Sequence, residues 1–73
     1  MRRPKTRVGA GLIGCGAIGT VIAEAIDSGK AGEIDLVIVY DIIMERAQNL
    51  ASKLNRKPLV AKNISEVLER DDV

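Results

Sequence analysis

At 73 residues the chain is at most one small domain, and its 47% hydrophobic, 29% charged composition is that of a globular protein. Eleven Lys and Arg against ten Asp and Glu leave a net charge of +1, which argues against nucleic acid or an anionic membrane as partner. Tyr40 is the one aromatic, His is absent and Cys15 is the one cysteine, so base stacking, imidazole chemistry, an internal disulfide and a Cys-rich zinc site are excluded within this chain.

Residues 1–6 form a basic arm carrying Arg2, Arg3 and Lys5, expected to be a solvated terminus. With Arg7 it precedes an uncharged run from Val8 to Ala23, in which Leu12-Ile13-Gly14-Cys15 mimics a lipoprotein cleavage box. That run is 16 residues long, short of the roughly 20 a membrane helix needs. It carries three glycines between Val8 and Gly14, and a periodic segment rather than a flexible tether follows Cys15. Export is therefore not expected, no membrane partner is expected, and a lone cysteine suits the reducing cytoplasm.

Arg7 to Ile13 reads as a short apolar strand. Ala17 to Ser28 reads as a helix, because Ile18, Val21, Ile22, Ala25 and Ile26 share one face of a 3.6-residue period, with Gly29 at the C-cap. After a loop over Lys30 to Glu33, Ile34 to Tyr40 reads as a second strand. Its unbroken Leu36-Val37-Ile38-Val39 suggests burial on both faces, as in a parallel sheet. Met44 to Leu54 repeats the helical stripe with Ala47, Leu50, Ala51 and Leu54, and Pro58 stops it. Leu59 to Ala61 is a brief third strand. Asn63, followed three residues later by Glu66, opens a third helix ending near Arg70.

This β-α-β-α-β-α order predicts an α/β fold, a Rossmann-like half of a doubly wound parallel sheet spanning residues 7–73. Right-handed crossovers place the second strand beside the first and the third beyond it. The unit is expected to be partial, its C-terminal side continuing in a longer protein, because a complete sheet pairs a fourth strand with the other edge of the first.

The chemistry falls at the first strand-helix turn, where Gly14-Cys15-Gly16-Ala17-Ile18-Gly19 is G-x-G-x-x-G. Gly14 lets the chain turn out of the strand, Gly16 admits a pyrophosphate to the backbone, and Gly19 brings helix and strand together. The N–H groups of Ala17 and Ile18 open the helix towards the phosphates, where its dipole is positive. Asp41 ends the second strand 22 residues past Gly19, where a carboxylate accepts the ribose hydroxyls of an adenosine, and Ile42 is placed to pack on adenine. A dinucleotide is the expected cofactor. NAD is favoured, because the carboxylate of Asp41 would oppose the 2′-phosphate of NADP; Arg46 reaching back keeps NADP open.

The remaining polar residues read more simply. Cys15 has no His or second Cys to activate it and fills space beside the phosphates. Glu33 and Asp35 read as solvated, Asp71 and Asp72 as a pair with no further ligand for a metal site, Lys53, Arg56 and Lys57 as a basic cluster favoured by the second helix's dipole, and Tyr40 as a packing residue.

The run from Gly11 to Gly19, Ile22 to Ile26, Val37 to Asp41, Glu45-Arg46-Ala47 and Asn63 to Leu68 together resemble the amino-terminal segment of L-aspartate dehydrogenase. The glycine motif is shared with relatives of homoserine dehydrogenase and dihydrodipicolinate reductase; the wording Gly-Cys-Gly-Ala-Ile-Gly narrows the choice. The resemblance implies an NAD(P)-dependent oxidoreductase converting aspartate to iminoaspartate in NAD biosynthesis. It also implies a small amino-acid substrate held only in the longer protein, and a homo-oligomer. The family's catalytic histidine lies in a later domain, so no catalytic residue and no metal ligand are assigned here. The carried-over residues are Gly14, Gly16, Ala17, Ile18, Gly19 and Asp41. The competing reading is a stand-alone nucleotide-binding, redox-sensing module without catalysis.

Overall fold

The computed structural model describes residues 8–30 and 32–73, so the basic arm of residues 1–6 and the expected strand start at Arg7 lie outside the described residues. The element order is β1 (Val8–Ile13), α1 (Ala17–Asp27), β2 (Ile34–Tyr40), α2 (Met44–Lys53), β3 (Leu59–Val60) and α3 (Ile64–Leu68). The three strands are parallel in the order β1-β2-β3, as expected. β1 pairs with β2 from Val8 opposite Ile34 to Ile13 opposite Tyr40, with one irregularity between Ala10 and Gly11. β3 is short, but the amide of Ala61 extends its ladder by donating to the Val39 carbonyl at 2.8 Å. This is a Rossmann-like α/β fold.

β2 lies in the middle of the sheet, so the unbroken apolar run is buried most deeply there. Val39 packs with Ala23, Ala47, Leu50, Ala51 and Leu54, while Ile38 packs with Ala61 and Val67. The α2 stripe is buried as expected, with Leu50 and Leu54 each 2% exposed. Tyr40 packs partly buried against the Ile38 cluster.

Helix α1 forms where its period places it, but it turns a different face inward. Ala23 is fully buried and Ala25 and Ile26 of the expected stripe are half-buried, whereas its Ile18, Val21 and Ile22 are 78%, 66% and 46% exposed. The cause is the close approach at Gly19: a Cβ there would meet the carbonyl oxygen of Gly14 and the side chain of Leu12. The helix therefore rests on β1 and β2 through its smallest residues, spaced four apart, with Gly19 over the end of β1 and Ala23 packed with Val39. The branched side chains beside them point away from the described sheet.

Each helix end has an identifiable stop. The amides of Gly29 and Lys30 return to the carbonyls of Ile26 and Ala25 at 3.1 and 3.0 Å, closing α1 in a Schellman pattern. Lys57 Nζ donates to the carbonyls of Ser52 and Leu54 at 2.7 and 2.9 Å, capping the C-terminal end of α2. Arg56 instead pairs with Asp35 at 2.7 Å, so the expected basic cluster is divided and Asp35 is not merely solvated. Asn63 Oδ1 accepts the Glu66 amide at 3.1 Å, and Glu66 Oε1 accepts the Lys62 amide at 2.7 Å. Asp72 is gripped by Arg70 through two bonds of 2.7 Å.

Candidate functional site

The carboxyl ends of β1 and β2 lie side by side, and the glycine turn rises from the first. Gly14 has φ +96°, a left-handed conformation that glycine adopts without steric cost. Its amide donates to the Tyr40 carbonyl at 2.7 Å, tying the start of the turn to the end of β2. Gly16 differs: its φ is −78° and a Cβ on it would meet nothing within 4 Å. The fold imposes no glycine there, and the open space above its backbone is free for a ligand.

Gly16 is also the N-cap of α1 and offers no side-chain cap. The first internal bond of the helix is Thr20 donating to the Gly16 carbonyl at 2.8 Å. Among the described residues, the amides of Gly16, Ala17 and Ile18 donate to no protein acceptor. Three backbone donors thus converge with the positive end of the helix dipole, an arrangement suited to an anion. Leu12, Ile13, Ile18 and Ile22 line an apolar groove beside them.

Asp41 stands at the end of β2 as expected, and its carboxylate is already bonded to the backbone. It is 7% exposed, and both carboxylate oxygens are engaged: Oδ2 accepts the Cys15 amide at 2.7 Å and Oδ1 accepts the Ile43 amide at 2.8 Å. These bonds, the Cys15 amide first, hold its carboxyl below the usual range, with the charge of Arg46 adding to the effect against the cost of burial. Ile42 is 88% exposed and Ile43 45% exposed, leaving apolar surface next to the acid.

Cys15 is buried, and burial followed by the Asp41 charge pushes its thiol above the ordinary value. Its Sγ donates to the Tyr40 carbonyl at 3.6 Å, so it is a neutral, packed group rather than a nucleophile. Thr20 Oγ1 reaches the Cys15 carbonyl at 3.5 Å. Sequence reasoning brings together Gly14, Gly16, Ala17, Ile18, Gly19, Asp41 and Ile42 at one end of the sheet, and so does the fold. It misses the Asp41–Cys15 bond, which spans 26 positions and leaves no local signal.

A second cleft of about 490 Å³ opens at the opposite, amino end of β2. Three of its charged groups, Asp27, Asp35 and Arg56, are already committed. Asp27 accepts the amides of Asn55 and Arg56 at 2.9 and 3.0 Å, and Arg56 holds Asp35. No group of three or more His, Cys, Asp or Glu among the described residues could hold a metal ion, and no described helix is long and apolar enough to cross a membrane.

The fold and its glycine turn place the chain in the class of Rossmann-like α/β units found in dehydrogenases. No family model matches. The chain is 38% identical to the L-aspartate dehydrogenase of Methanococcoides burtonii over 63 residues, 86% of this chain and 23% of that protein. It is 31% identical to the L-aspartate dehydrogenase of Methanococcus maripaludis over 61 residues, 84% of this chain and 22% of that protein. The resemblance read from the glycine motif and Asp41 is thus matched across most of the chain. Among solved structures, a myo-inositol dehydrogenase from Corynebacterium glutamicum superposes with a TM-score of 0.77 at 31% identity, covering 93% of this chain and 19% of that one. GenD2 from gentamicin A biosynthesis, solved in complex with NAD, superposes with a TM-score of 0.72 at 25% identity, covering all of this chain and 21% of that one. The chain spans less than a quarter of the length of the curated relatives it matches.

Proposed function

We propose that this chain is the dinucleotide-binding part of an NAD(P)-dependent oxidoreductase, and that the longer protein acts as an L-aspartate dehydrogenase forming iminoaspartate. The observation that carries the binding step is the set of unpartnered amides at Gly16, Ala17 and Ile18, beneath open space at Gly16. The relatives' names and the NAD complex of GenD2 support the cofactor class. Gly16, Ala17 and Ile18 would hold the pyrophosphate, Asp41 the adenosine ribose and Ile42 the face of the adenine. The bound nicotinamide supplies the hydride acceptor. The chain's own part is to bind and orient the dinucleotide.

Substrate selection and proton transfer belong to the longer protein. The chain contains no His, and neutral buried Cys15 and amide-bonded Asp41 are unsuited to proton transfer. The purified 73-residue chain should therefore give no change in NAD(P)H absorbance with aspartate. A cytoplasmic, homo-oligomeric dehydrogenase is the natural setting for such a part.

NAD is the preferred dinucleotide. The ionised Asp41 opposes a 2′-phosphate, while Arg46 in the first turn of α2 moderates the opposition. Calorimetric titration of the chain with NAD and NADP tests the reading. The expected result is saturable binding with NAD the tighter, and a narrower gap in Asp41→Ala. Tighter NADP binding would show Arg46 overriding Asp41. Absence of saturable binding to either dinucleotide would refute the function.

A further inference from the structure

We propose that Asp41 is a positioning residue for the glycine turn, clasping it into its binding shape before any cofactor arrives and independently of any contact with ribose. This deepens the dinucleotide reading and rests on it. A carboxylate reserved for ribose would stand open at the strand end, yet Asp41 is 7% exposed with each oxygen already bonded to a backbone amide. One of those amides, Cys15, lies inside the glycine motif; the other, Ile43, opens the approach to α2. Next to the first bond, the Gly14 amide donates to the Tyr40 carbonyl, so consecutive turn residues are tied to the last residue of β2 and the one that follows it. Bonds from amides to an ionised oxygen are shorter and roughly twice as strong as neutral ones, and 2.7 Å is in that range.

The clasp decides which donors face the ligand. The Cys15 amide is consumed inside the protein, which leaves Gly16, Ala17 and Ile18 for the phosphates. A carboxylate offers about four lone-pair sites, so two bonds to the backbone leave two for a ribose diol. Both roles are therefore compatible in one side chain. Without the carboxylate, buried Cys15 would keep an unpaired amide, and the turn would have to be ordered at the expense of binding. An asparagine is no substitute: it has one acceptor oxygen, and its NH2 would face the second amide.

The experiment separates the two roles with a ligand that lacks the diol. Binding of NAD and of 2′,3′-dideoxyadenosine 5′-diphosphate is measured for the chain and for Asp41→Asn. Amide hydrogen exchange is followed in the ligand-free proteins. In the variant, exchange at Cys15 should accelerate about tenfold while Leu50 stays protected, and the dideoxy ligand should bind about three- to tenfold more weakly. Unchanged exchange at Cys15, or loss confined to NAD with the dideoxy ligand unaffected, would overturn the clasp and leave Asp41 a ribose contact only. If Asp41→Asn does not fold, the unmodified chain decides: a scalar coupling between the Cys15 amide nitrogen and the Asp41 carboxylate carbon is expected, and its absence overturns the proposal. Failure of the chain to bind either ligand would refute the dinucleotide reading, while the exchange and coupling measurements would still test the clasp.

Discussion

Helices α1 and α2 carry similar apolar stripes and bury opposite kinds of surface. In α2 the stripe itself is the core, with Ala47, Leu50 and Ala51 against β2 and β3. In α1 the inward row is Gly19 and Ala23, while Ile18, Val21 and Ile22 remain largely exposed. The difference teaches that a hydrophobic period reports how much apolar surface a helix has, and that the smallest residues decide which side it lies down on. In α1 that decision serves the turn: close docking at Gly19 sets the helix N-terminus directly above the ends of the strands.

The contrast is most sharply broken in the core of α2. Leu50→Ala should cost about 2–5 kcal/mol in urea unfolding, enough to abolish a cooperative transition in so small a domain. Gly19→Ala should come next, at about 1–3 kcal/mol, because the added methyl meets a backbone carbonyl that has nowhere to move. If Gly19→Ala is neutral, the close docking of α1 is not what orients it. Asn63→Ala, which removes the cap of α3 and touches neither long helix, should cost about 0.5–2 kcal/mol.

A pH-gated effect follows from Asp41. Its carboxyl is held below the usual range in the folded chain, so its contribution to stability is fully present above the unfolded value of about 3.9 and is lost as pH falls through the lower, folded value. Asp27 and Asp72 are shifted in the same direction by the Arg56 amide and by Arg70. Unfolding midpoints measured between neutral and acid pH should therefore fall on the acid side, and Asp41→Asn should flatten that slope. The smallest effect is expected on the exposed stripe: Ile18→Ala and Val21→Ala should each change stability by no more than about 0.5 kcal/mol, against the large cost at Leu50.

The alternation of strands and helices was legible because most changes of period coincide with a breaker or cap: Gly14 and Gly16 after β1, Gly29 after α1, Pro58 before β3, Asn63 before α3; the step from β2 to α2, where Ile43 is the N-cap, has none. The strand order followed from the tendency of consecutive parallel strands to lie side by side in a dinucleotide-binding half. For the inward face of α1 two signals disagreed: the glycine motif put Gly19 against the strand, as the fold does, while the apolar stripe through Ile18 and Ile22 pointed elsewhere. At the site, the glycine spacing and Asp41 pointed to one end of the sheet. The engagement of Asp41 with Cys15 was hidden, since nothing local to either residue encodes a bond across the sheet. The pairing of Asp35 with Arg56 was missed for the same reason, with 21 positions between them.

Gly16 offers the most direct test of the claim that the turn binds a dinucleotide, because its side-chain position meets no protein atom and its backbone is extended. The dissociation constant for NAD should be measured beside the unfolding free energy for the chain and for Gly16→Val. The account predicts a stability loss of no more than about 0.5–2 kcal/mol, the cost of Val at the helix N-cap, in a chain that still folds, and NAD binding weakened by at least about tenfold, since the new side chain occupies the space meant for phosphate. Undiminished NAD binding by a folded Gly16→Val chain would contradict it.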